Sequence, residues 1–233
     1  MEELGTLQEY IAYPADDLEL APLHLNNAEA AALPLCGLTA YRATFTKGGV
    51  APGQNVLVTG IGGGVALHSM QFAAARGATV FVTSSSPEKL RKAKELGASA
   101  GVNYKDSDWE RQLAKLLPKN RPYLDAVIDG AGGDIVNRTS GLLKHGGIIV
   151  SYGLTLGPQA PFSIKALLKN IEVCSEQPLH DITASSLTRY RISLNLSQNN
   201  GDQLSQMRGS TMGSRKEFAE MVSRAQTLRH SCP

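Results

Sequence analysis

The sequence has 233 residues, of which 42% are hydrophobic and 19% are charged, and its formal net charge at pH 7 is +2. These proportions are ordinary for a globular protein and allow an apolar core of useful size. The net charge is too small to indicate nucleic acid or an acidic membrane surface as a partner, so we expect neither.

The cysteines and the N-terminus bear on the compartment. Cys36, Cys174 and Cys232 lie far apart without paired spacing, which is typical of reduced thiols rather than of a disulfide framework. The first residues are acidic and include no apolar segment of the kind found in signal peptides. No apolar run is long enough to span a bilayer. We therefore expect a cytoplasmic protein.

The first 50 residues predict a loop followed by a helix. Residues 1–25 contain proline breakers and indicate a loop with a short strand. Asn26, with Glu29 three residues later, has the pattern of a capping box. The alanine-rich segment that follows predicts a helix that is interrupted near Pro34 and continues to about Thr46.

From residue 55 onward, short apolar runs rich in β-branched residues alternate with helical segments. The predicted strands are Asn55–Gly60, Thr79–Ser84, Gly101–Tyr104, Ala126–Gly130 and Ile148–Gly153, with a sixth beginning at Ile171–Val173. The predicted helices are Gly63–Arg76, a helix that Ser86 caps and Gly97 closes, Asp108–Leu117, Asp134–Lys144, and a last helix that Ser214 and Glu217 cap. Strands separated by helices of this length predict βαβ crossovers and an α/β fold with a parallel sheet.

A glycine-rich turn, TGIGGGVA at Thr59–Ala66, separates the first predicted strand from its helix. Glycines there allow positive φ and let the backbone approach a pyrophosphate, and the helix N-terminus behind them attracts the anion. A glycine cluster alone could be a turn without a ligand. Its place after a strand and before a helix, inside a repeated βα pattern, favours a phosphate site.

The end of the second predicted strand indicates which dinucleotide binds. Sites specific for NAD carry an acidic residue there to bind the ribose 2′-hydroxyl. This sequence has Ser84, Ser85 and then Lys89, and its first carboxylate, Glu88, falls inside the next helix. Hydroxyls with a cation suit a 2′-phosphate, so we expect NADP(H). The serines could instead serve only to cap the helix, and Ser86 can do so while the other two face the ligand.

In several long strings taken in order, the sequence resembles the medium-chain dehydrogenase/reductase superfamily. These strings are ALPLCGLTAYRA, NVLVTGIGGGVALHSMQFAAARGATVFVTSSSPEKLRKAKELGA, GVNYKD, AVIDGAGG and GGIIVSYG. The resemblance covers roughly residues 5–173 and resumes at GSTMGSRKEF, and it is greatest to the quinone-oxidoreductase-like and zinc-type alcohol dehydrogenase-like branch. It implies a Rossmann doubly wound sheet with strand order 3-2-1-4-5-6, beside a remnant of a GroES-like catalytic domain.

The resemblance also implies roles for individual residues. Those near the pyrophosphate would be Gly63, Gly64 and Val65, those around the 2′-phosphate and adenosine would be Ser84, Ser85, Lys89 and Tyr104, and those near the ribose or nicotinamide would be Thr39, Gly130, Tyr152 and Gly153. Several have structural alternatives. Tyr104 could belong to the core or a cap, Tyr152 could be a buried strand aromatic, and Thr39 could bond within its helix.

By the same resemblance the chain divides into four parts. Residues 1–30 would be the catalytic-domain remnant, 31–173 the NADP(H)-binding Rossmann domain, and 208–233 the end of that domain with a shortened C-terminal segment. Residues 174–207 are polar and lack a steady period, which predicts an irregular insertion or, alternatively, an unspliced segment translated in frame. In the family the sixth strand commonly pairs across a dimer interface, so a homodimer is also expected.

Zinc is common in this superfamily, but the sequence lacks its ligands. Structural zinc needs four clustered thiolates, which three scattered cysteines cannot supply. Catalytic zinc would use a cysteine four residues before the threonine of GLTAY, where Leu35 stands, and Cys36 is one residue off. The histidines are scattered without ligand spacing. We therefore expect no metal and interpret Cys36 as a small buried hydrophobe.

Two other enzyme classes use similar glycine turns. Short-chain reductases need a tyrosine with lysine four residues later, and none of the seven tyrosines has one. Methyltransferases usually carry an acid after the second strand, which is missing. The function expected is therefore NADP(H)-dependent hydride transfer to or from a small carbonyl, enone or quinone, with no catalytic side chain assigned. A catalytically silent nucleotide-binding fragment is the alternative.

Overall fold

The computed structural model describes residues 18–157 and 214–227, three short stretches (172–175, 190–191 and 206–207) and the single positions 9, 12, 14 and 15. Six parallel strands form its central sheet. They are β1 Asn55–Val58, β2 Thr79–Ser84, β3 Ala100–Asn103, β4 Leu124–Asp129, β5 Leu143–Ser151 and β6 Glu172–Ser175. Their order is β3-β2-β1-β4-β5-β6 and each neighbouring pair is parallel, which confirms the predicted doubly wound fold.

Helices cover both faces of this sheet. The connections between strands contain α3 Gly64–Ala75, α4 Pro87–Glu95, α5 Trp109–Leu116 and α6 Ile135–Ser140. Successive residues of a strand point to opposite faces. Accordingly, Val56 and Val58 of β1 belong to one buried cluster with Met70 of α3, whereas Leu57 belongs to a second cluster with Trp109 of α5. Apolar burial on both faces explains why Val56, Leu57 and Val58 of β1 are all apolar.

The segment before the sheet is helical throughout Asn27–Lys47. It consists of α1 Asn27–Ala32, a π-helical turn Leu33–Gly37, α2 Leu38–Tyr41 and a second π-helical turn Arg42–Lys47. The predicted capping box is present, with Asn26 and Glu29 each accepting a hydrogen bond from the other's backbone N–H. The interruption expected near Pro34 is present as a change of helix type, because the α-helix ends at Ala32 and a π-helical turn begins at Leu33. The backbone stays helical there and widens into a π turn, in which the missing proline N–H is accommodated.

The boundary between α6 and β5 also differs from the prediction. Helix α6 ends at Ser140, not at Lys144, and β5 begins already at Leu143. Leu143 pairs with Leu124 of β4, and the register then shifts before Ala126 pairs with Ile148. A bulge of this kind lets a polar, glycine-containing stretch remain in the strand.

A last helix, α7 Arg215–Thr227, packs against the first helical segment. Its Met221 lies in a buried cluster with Tyr41 and Phe72. The predicted cap is confirmed, since the backbone N–H and the hydroxyl of Ser214 both donate to the Glu217 carboxylate. In the described ranges no helix combines the length and apolarity needed to cross a membrane.

The predicted insertion at 174–207 falls mostly outside the described residues. Its first two residues belong to β6. A two-stranded antiparallel pair joins β7 Tyr190–Arg191 to β8 Gln206–Met207. The expectation of an irregular insertion therefore remains a prediction for the rest of the segment.

Candidate functional site

The predicted site residues gather at the carboxyl ends of the strands. The sheet order reverses between β1 and β4, so the loops that follow these two strands diverge to opposite sides. In open α/β sheets this divergence leaves a crevice in which ligands bind. The glycine turn follows β1, Ser84 ends β2, Tyr104 follows β3, and Gly130 and Tyr152 follow β4 and β5.

The glycine turn is fixed by the neighbouring strand. The backbone N–H of Gly60 donates to Thr83 Oγ1 at 3.1 Å, and that of Ile61 donates to the Thr83 carbonyl at 2.8 Å. Gly60 and Gly62 have φ of +64° and +124°, which L side chains rarely adopt. Helix α3 then starts at Gly64 without a side-chain cap, so its first amides are free to receive an anion.

Lys89 brings a positive charge to this turn. A Cβ built on Gly62 would lie 2.7 Å from Lys89 Cδ and 3.1 Å from Nζ, so the side chain extends from α4 across the turn. The Lys89 backbone N–H is held by the Ser86 hydroxyl at 3.3 Å, which confirms Ser86 as the cap of α4. The ammonium group therefore lies close to the glycine turn.

The hydroxyl groups after β2 and β3 form a small cluster. The Tyr104 hydroxyl donates to Ser85 Oγ at 3.3 Å, and Ser84 Oγ accepts the Ser86 N–H at 3.2 Å. Ser84 is only 4% exposed, whereas Ser85 is partly exposed. Tyr104 also packs its ring beside the buried cluster around Trp109. Its structural and site roles are thus compatible.

On the β4 side of the crevice, the loops after β4 and β5 are in close contact. A Cβ on Gly130 would lie 2.7 Å from the Tyr152 ring, and one on Gly153 would lie 3.0 Å from the Gly130 carbonyl. The Tyr152 N–H donates to the Asp129 carbonyl at 2.8 Å. The three predicted residues Gly130, Tyr152 and Gly153 therefore form one surface.

Sequence reasoning missed a buried polar pair in this region. Asp129, the last residue of β4, is 0% exposed, and its carboxylate accepts the Thr59 hydroxyl at 2.6 Å. The only local signal was an acidic residue that ends the apolar run AVIDG. That signal could not identify Thr59, seventy positions earlier, as its partner.

The helical segment before the sheet contributes Thr39 and Cys36. Thr39 lies buried in α2, which packs on α3. Cys36 is half-buried rather than buried, and a Cβ on Gly64 would lie 2.7 Å from its Sγ. The thiol is thus packed against the first residue of α3, a contact that the sequence did not indicate. Leu35, in the position expected for a zinc ligand, is 59% exposed.

The zinc ligands that the superfamily uses are not assembled in the described part of the chain. Among those residues, no three His, Cys, Asp or Glu side chains lie together in a group that could hold a metal ion. Tetrahedral zinc needs at least three protein ligands. The described residues therefore do not fit zinc.

The opposite end of β4 carries a second buried carboxylate, Asp125. It accepts the Asn55 backbone N–H at 2.8 Å and pairs with Arg121 and Lys144, each at 2.8 Å. Burial alone would raise the pKa of Asp125, but the hydrogen bonds from Lys144, Arg121 and Asn55 outweigh it and lower that pKa below its ordinary value. This cluster lies away from the strand ends that form the candidate site.

Comparison with known proteins agrees with this architecture. A family model described as zinc-binding dehydrogenase matches residues 64–176. The chain is 48% identical over 223 residues to the zinc-type alcohol dehydrogenase-like protein YogA of Leptosphaeria maculans, a match that covers 94% of this chain and 53% of that protein.

Solved structures give the same result. The structure of an NAD-dependent alcohol dehydrogenase matches with a TM-score of 0.72 and 28% identity, covering 96% of this chain and 55% of that one. The quinone oxidoreductase of Thermus thermophilus, whose complex with NADPH has been solved, matches with a TM-score of 0.55 and 33% identity over 66% of this chain and 48% of that one. The chain thus spans about half the length of the proteins it matches.

Proposed function

The chain belongs to the medium-chain dehydrogenase/reductase superfamily of oxidoreductases, in its zinc-type alcohol dehydrogenase-like and quinone-oxidoreductase-like branch, and we propose that it binds NADP(H) for hydride transfer. The substrate would be a small carbonyl, enone or quinone. The nicotinamide supplies or accepts the hydride, and the protein binds and orients it. The residues described above support the binding of NADP(H) and not a particular catalytic step.

The observation that carries the proposal is the position of Lys89. Its side chain extends across the glycine turn, the hydroxyls of Ser85 and Tyr104 are hydrogen-bonded to each other after β2 and β3, and the end of β2 has no acidic residue. An acidic residue there would attract the 2′-hydroxyl of NAD and repel a 2′-phosphate. A cation with two hydroxyl donors instead favours the phosphate through charge-assisted hydrogen bonds.

The turn itself supports binding of the pyrophosphate. Gly63 and Gly64 are exposed and leave the backbone accessible, and Val65 follows them in the first turn of α3. The uncapped amides and the helix dipole would stabilise the negative charge. On the β4 side of the crevice, Gly130, Tyr152 and Gly153 would contact the nicotinamide half of the cofactor. Thr39, on the neighbouring helix α2, would lie near the same half.

The comparisons support the reaction class more than the cofactor. The matched proteins include an NAD-dependent alcohol dehydrogenase and a quinone oxidoreductase solved with NADPH, so the choice between the two cofactors rests on the residues around β2. We assign no acid or base among the described residues to a catalytic position, and we propose that the proton comes from solvent.

Calorimetry with Lys89→Ala tests the cofactor. We expect the wild type to bind NADPH more tightly than NADH, and Lys89→Ala to narrow the difference by about 1–2 kcal/mol, the scale of one charge-assisted contact. Lys92→Ala is the matched control, because Lys92 lies exposed on the same helix. Equal affinities for the two nucleotides in the wild type would contradict the proposal.

A silent nucleotide-binding role is the second candidate, because the chain spans only about half of the matched proteins. Loss of NADPH absorbance in the presence of quinones or enones separates the two. Turnover supports the enzyme, whereas tight binding without turnover supports the silent role.

A further inference from the structure

The buried carboxylate of Asp129 organises the loop that follows β4. Besides the Thr59 hydroxyl, it accepts the backbone N–H of Ala131 at 3.0 Å and that of Gly132 at 2.9 Å. Asp129 is 0% exposed, so these bonds replace the hydration that a carboxylate loses on burial. Each of the three groups donates to an oxygen of the carboxylate.

The Thr59 hydroxyl extends this arrangement to the end of β1. It donates to Asp129 at 2.6 Å and accepts the Gly130 N–H at 3.2 Å. Three successive amides, those of Gly130, Ala131 and Gly132, therefore point inward at the Thr59–Asp129 pair. The loop cannot shift without breaking several of these bonds together.

The same loop is bonded on its other side to the loop after β5. The Gly130 carbonyl accepts the backbone N–H of Thr155 at 3.3 Å and its hydroxyl at 3.2 Å. The Ala131 carbonyl accepts the Leu156 N–H at 2.7 Å. We call residues 130–132 the β4 loop. Its inner bonds set its distance from β1, and its outer bonds set the position of the neighbouring loop.

This loop lies in one half of the dinucleotide crevice. A doubly wound sheet is built from two mononucleotide-binding halves, and the 2′-phosphate residues around β2 assign the adenosine to the first half. The nicotinamide half then falls over β4 and β5, where Gly130 and the Tyr152 ring are in contact. Asp129 itself is buried beneath this surface and cannot touch the nucleotide.

We propose that Asp129 is a positioning residue for the nicotinamide half of the cofactor, acting through Thr59 and the β4 loop. The inference rests on the proposed NADP(H) binding and deepens it. Binding of the nicotinamide half and binding of the adenosine half would then depend on different residues. Disturbing Asp129 changes the nicotinamide half and leaves the adenosine half as it was.

The test compares two ligands by calorimetry. NADPH occupies both halves, whereas adenosine 2′,5′-bisphosphate carries the adenosine and 2′-phosphate without a nicotinamide. Asp129→Asn keeps the size of the side chain but turns a donor towards a loop N–H and removes the charge. We expect NADPH affinity to fall about tenfold or more, the scale of a lost charged hydrogen bond, while affinity for the bisphosphate stays within about twofold.

Two controls separate positioning from general damage. Asp125→Asn removes a second buried carboxylate from the opposite end of the same strand, and it should leave the ratio of the two affinities unchanged. At Thr59, the valine variant should reproduce the selective loss and the serine variant, which keeps the hydroxyl, should restore affinity. This second pair keeps the test decisive if Asp129→Asn does not fold.

Each outcome has a distinct meaning. Equal loss for both ligands, no loss for NADPH, or the same selective loss in Asp125→Asn would overturn the positioning role. A wild type that binds the bisphosphate and gains nothing from the nicotinamide half of NADPH would overturn this inference alone. A wild type that binds neither ligand would instead reject the proposed function from which the inference starts.

Discussion

At the residue scale, the glycines of the turn differ in what they tolerate. Gly62 combines a φ of +124° with close contact to Lys89, so a side chain there would be strained and would displace the lysine. Gly63 has a φ of −80°, and a Cβ built on it would meet nothing nearer than the Gly60 carbonyl at 3.9 Å. A charge can therefore be introduced at Gly63 without disturbing the fold.

We expect Gly63→Asp to lower NADPH affinity by about tenfold or more, because the new carboxylate would face the pyrophosphate at the start of α3. Gly63→Asn is the matched control, since it has nearly the same shape and no charge. Both residues are favourable helix caps, so the thermal midpoint should be kept in each variant. If calorimetry gives Gly63→Asp the affinity of the wild type, the pyrophosphate does not bind at this turn.

Residue roles that depend on short-range patterns could be predicted from the sequence. The caps at Asn26, Ser86 and Ser214 follow from hydroxyl or amide side chains at fixed spacing. The Thr59–Asp129 pair could not be predicted in this way. Its partners are seventy positions apart, and nothing in either local sequence specifies which buried polar groups will meet.

At the element scale, polar contacts fasten α7 to the first helical segment. Arg42 pairs with Glu217 at 2.6 Å, and the Tyr41 hydroxyl donates to Glu220 at 2.7 Å. Arg224 lies over the Phe45 ring at 4.9 Å from its centroid. These contacts supplement the apolar packing of Met221. The last described helix, α7, is therefore joined to the helical segment that precedes the sheet.

Glu217 makes this junction sensitive to pH. Burial would raise its pKa, but hydrogen bonds from Thr46 and Ser214 and the charge of Arg42 outweigh it and lower the pKa from 4.5 to about 2. A carboxylate with a lowered folded-state pKa contributes stability that is present above its unfolded value and is lost as the pH falls through the folded one. The contribution should therefore decline between about pH 5 and pH 2.

We expect Glu217→Gln to lower the free energy of unfolding at pH 7 by roughly 2 kcal/mol and to match the wild type near pH 2. Urea denaturation followed by circular dichroism at several pH values measures this. Glu88→Gln, in the exposed first turn of α4, is the control and should change stability by less than about 0.5 kcal/mol. A difference between Glu217→Gln and wild type that does not shrink on acidification would contradict the assignment.

The strands and most helices could be predicted from their local sequences, whereas the boundary between α6 and β5 could not. Runs such as NVLV and TVFVTS are β-branched and short, and they form β1 and β2 as expected. The stretch LKHGG reads as the end of a helix because it is polar and contains glycines. In the fold it is strand, because pairing of Leu143 with Leu124 across the bulge overrides local preference.

At the scale of the whole molecule, the strand order came from resemblance rather than from local patterns. Alternating strands and helices imply a parallel sheet, but several orders satisfy that rule. The observed order places β6 at one end of the sheet, beside β5. Its place there bears on assembly, because the resemblance found in the sequence implies that this strand pairs across a dimer interface.

We expect the chain to form a homodimer through the β6 end of the sheet. Light scattering coupled to gel filtration should give twice the monomer mass at micromolar concentration, with no dependence on NADPH. A dilution series is the control for weak association. Monomer mass throughout the series would contradict the dimer and leave the nucleotide site unaffected.

The two buried carboxylates of β4 together bear on the register in which β1 pairs with β4. Asp125 bonds to Asn55 at the start of β1 and Asp129 to Thr59 at its end, so both contacts join positions seventy apart in the chain. A slip of β1 by one residue would move every partner by about 3.3 Å and turn its side chains to the other face. Each acid would then lose the donor that comes from the β1 side, at a cost of about 1–3 kcal/mol, and would keep its other partners. The two contacts therefore favour the correct register of β1 against β4 at both ends of the pairing, and with it the alignment of the strand ends at the crevice.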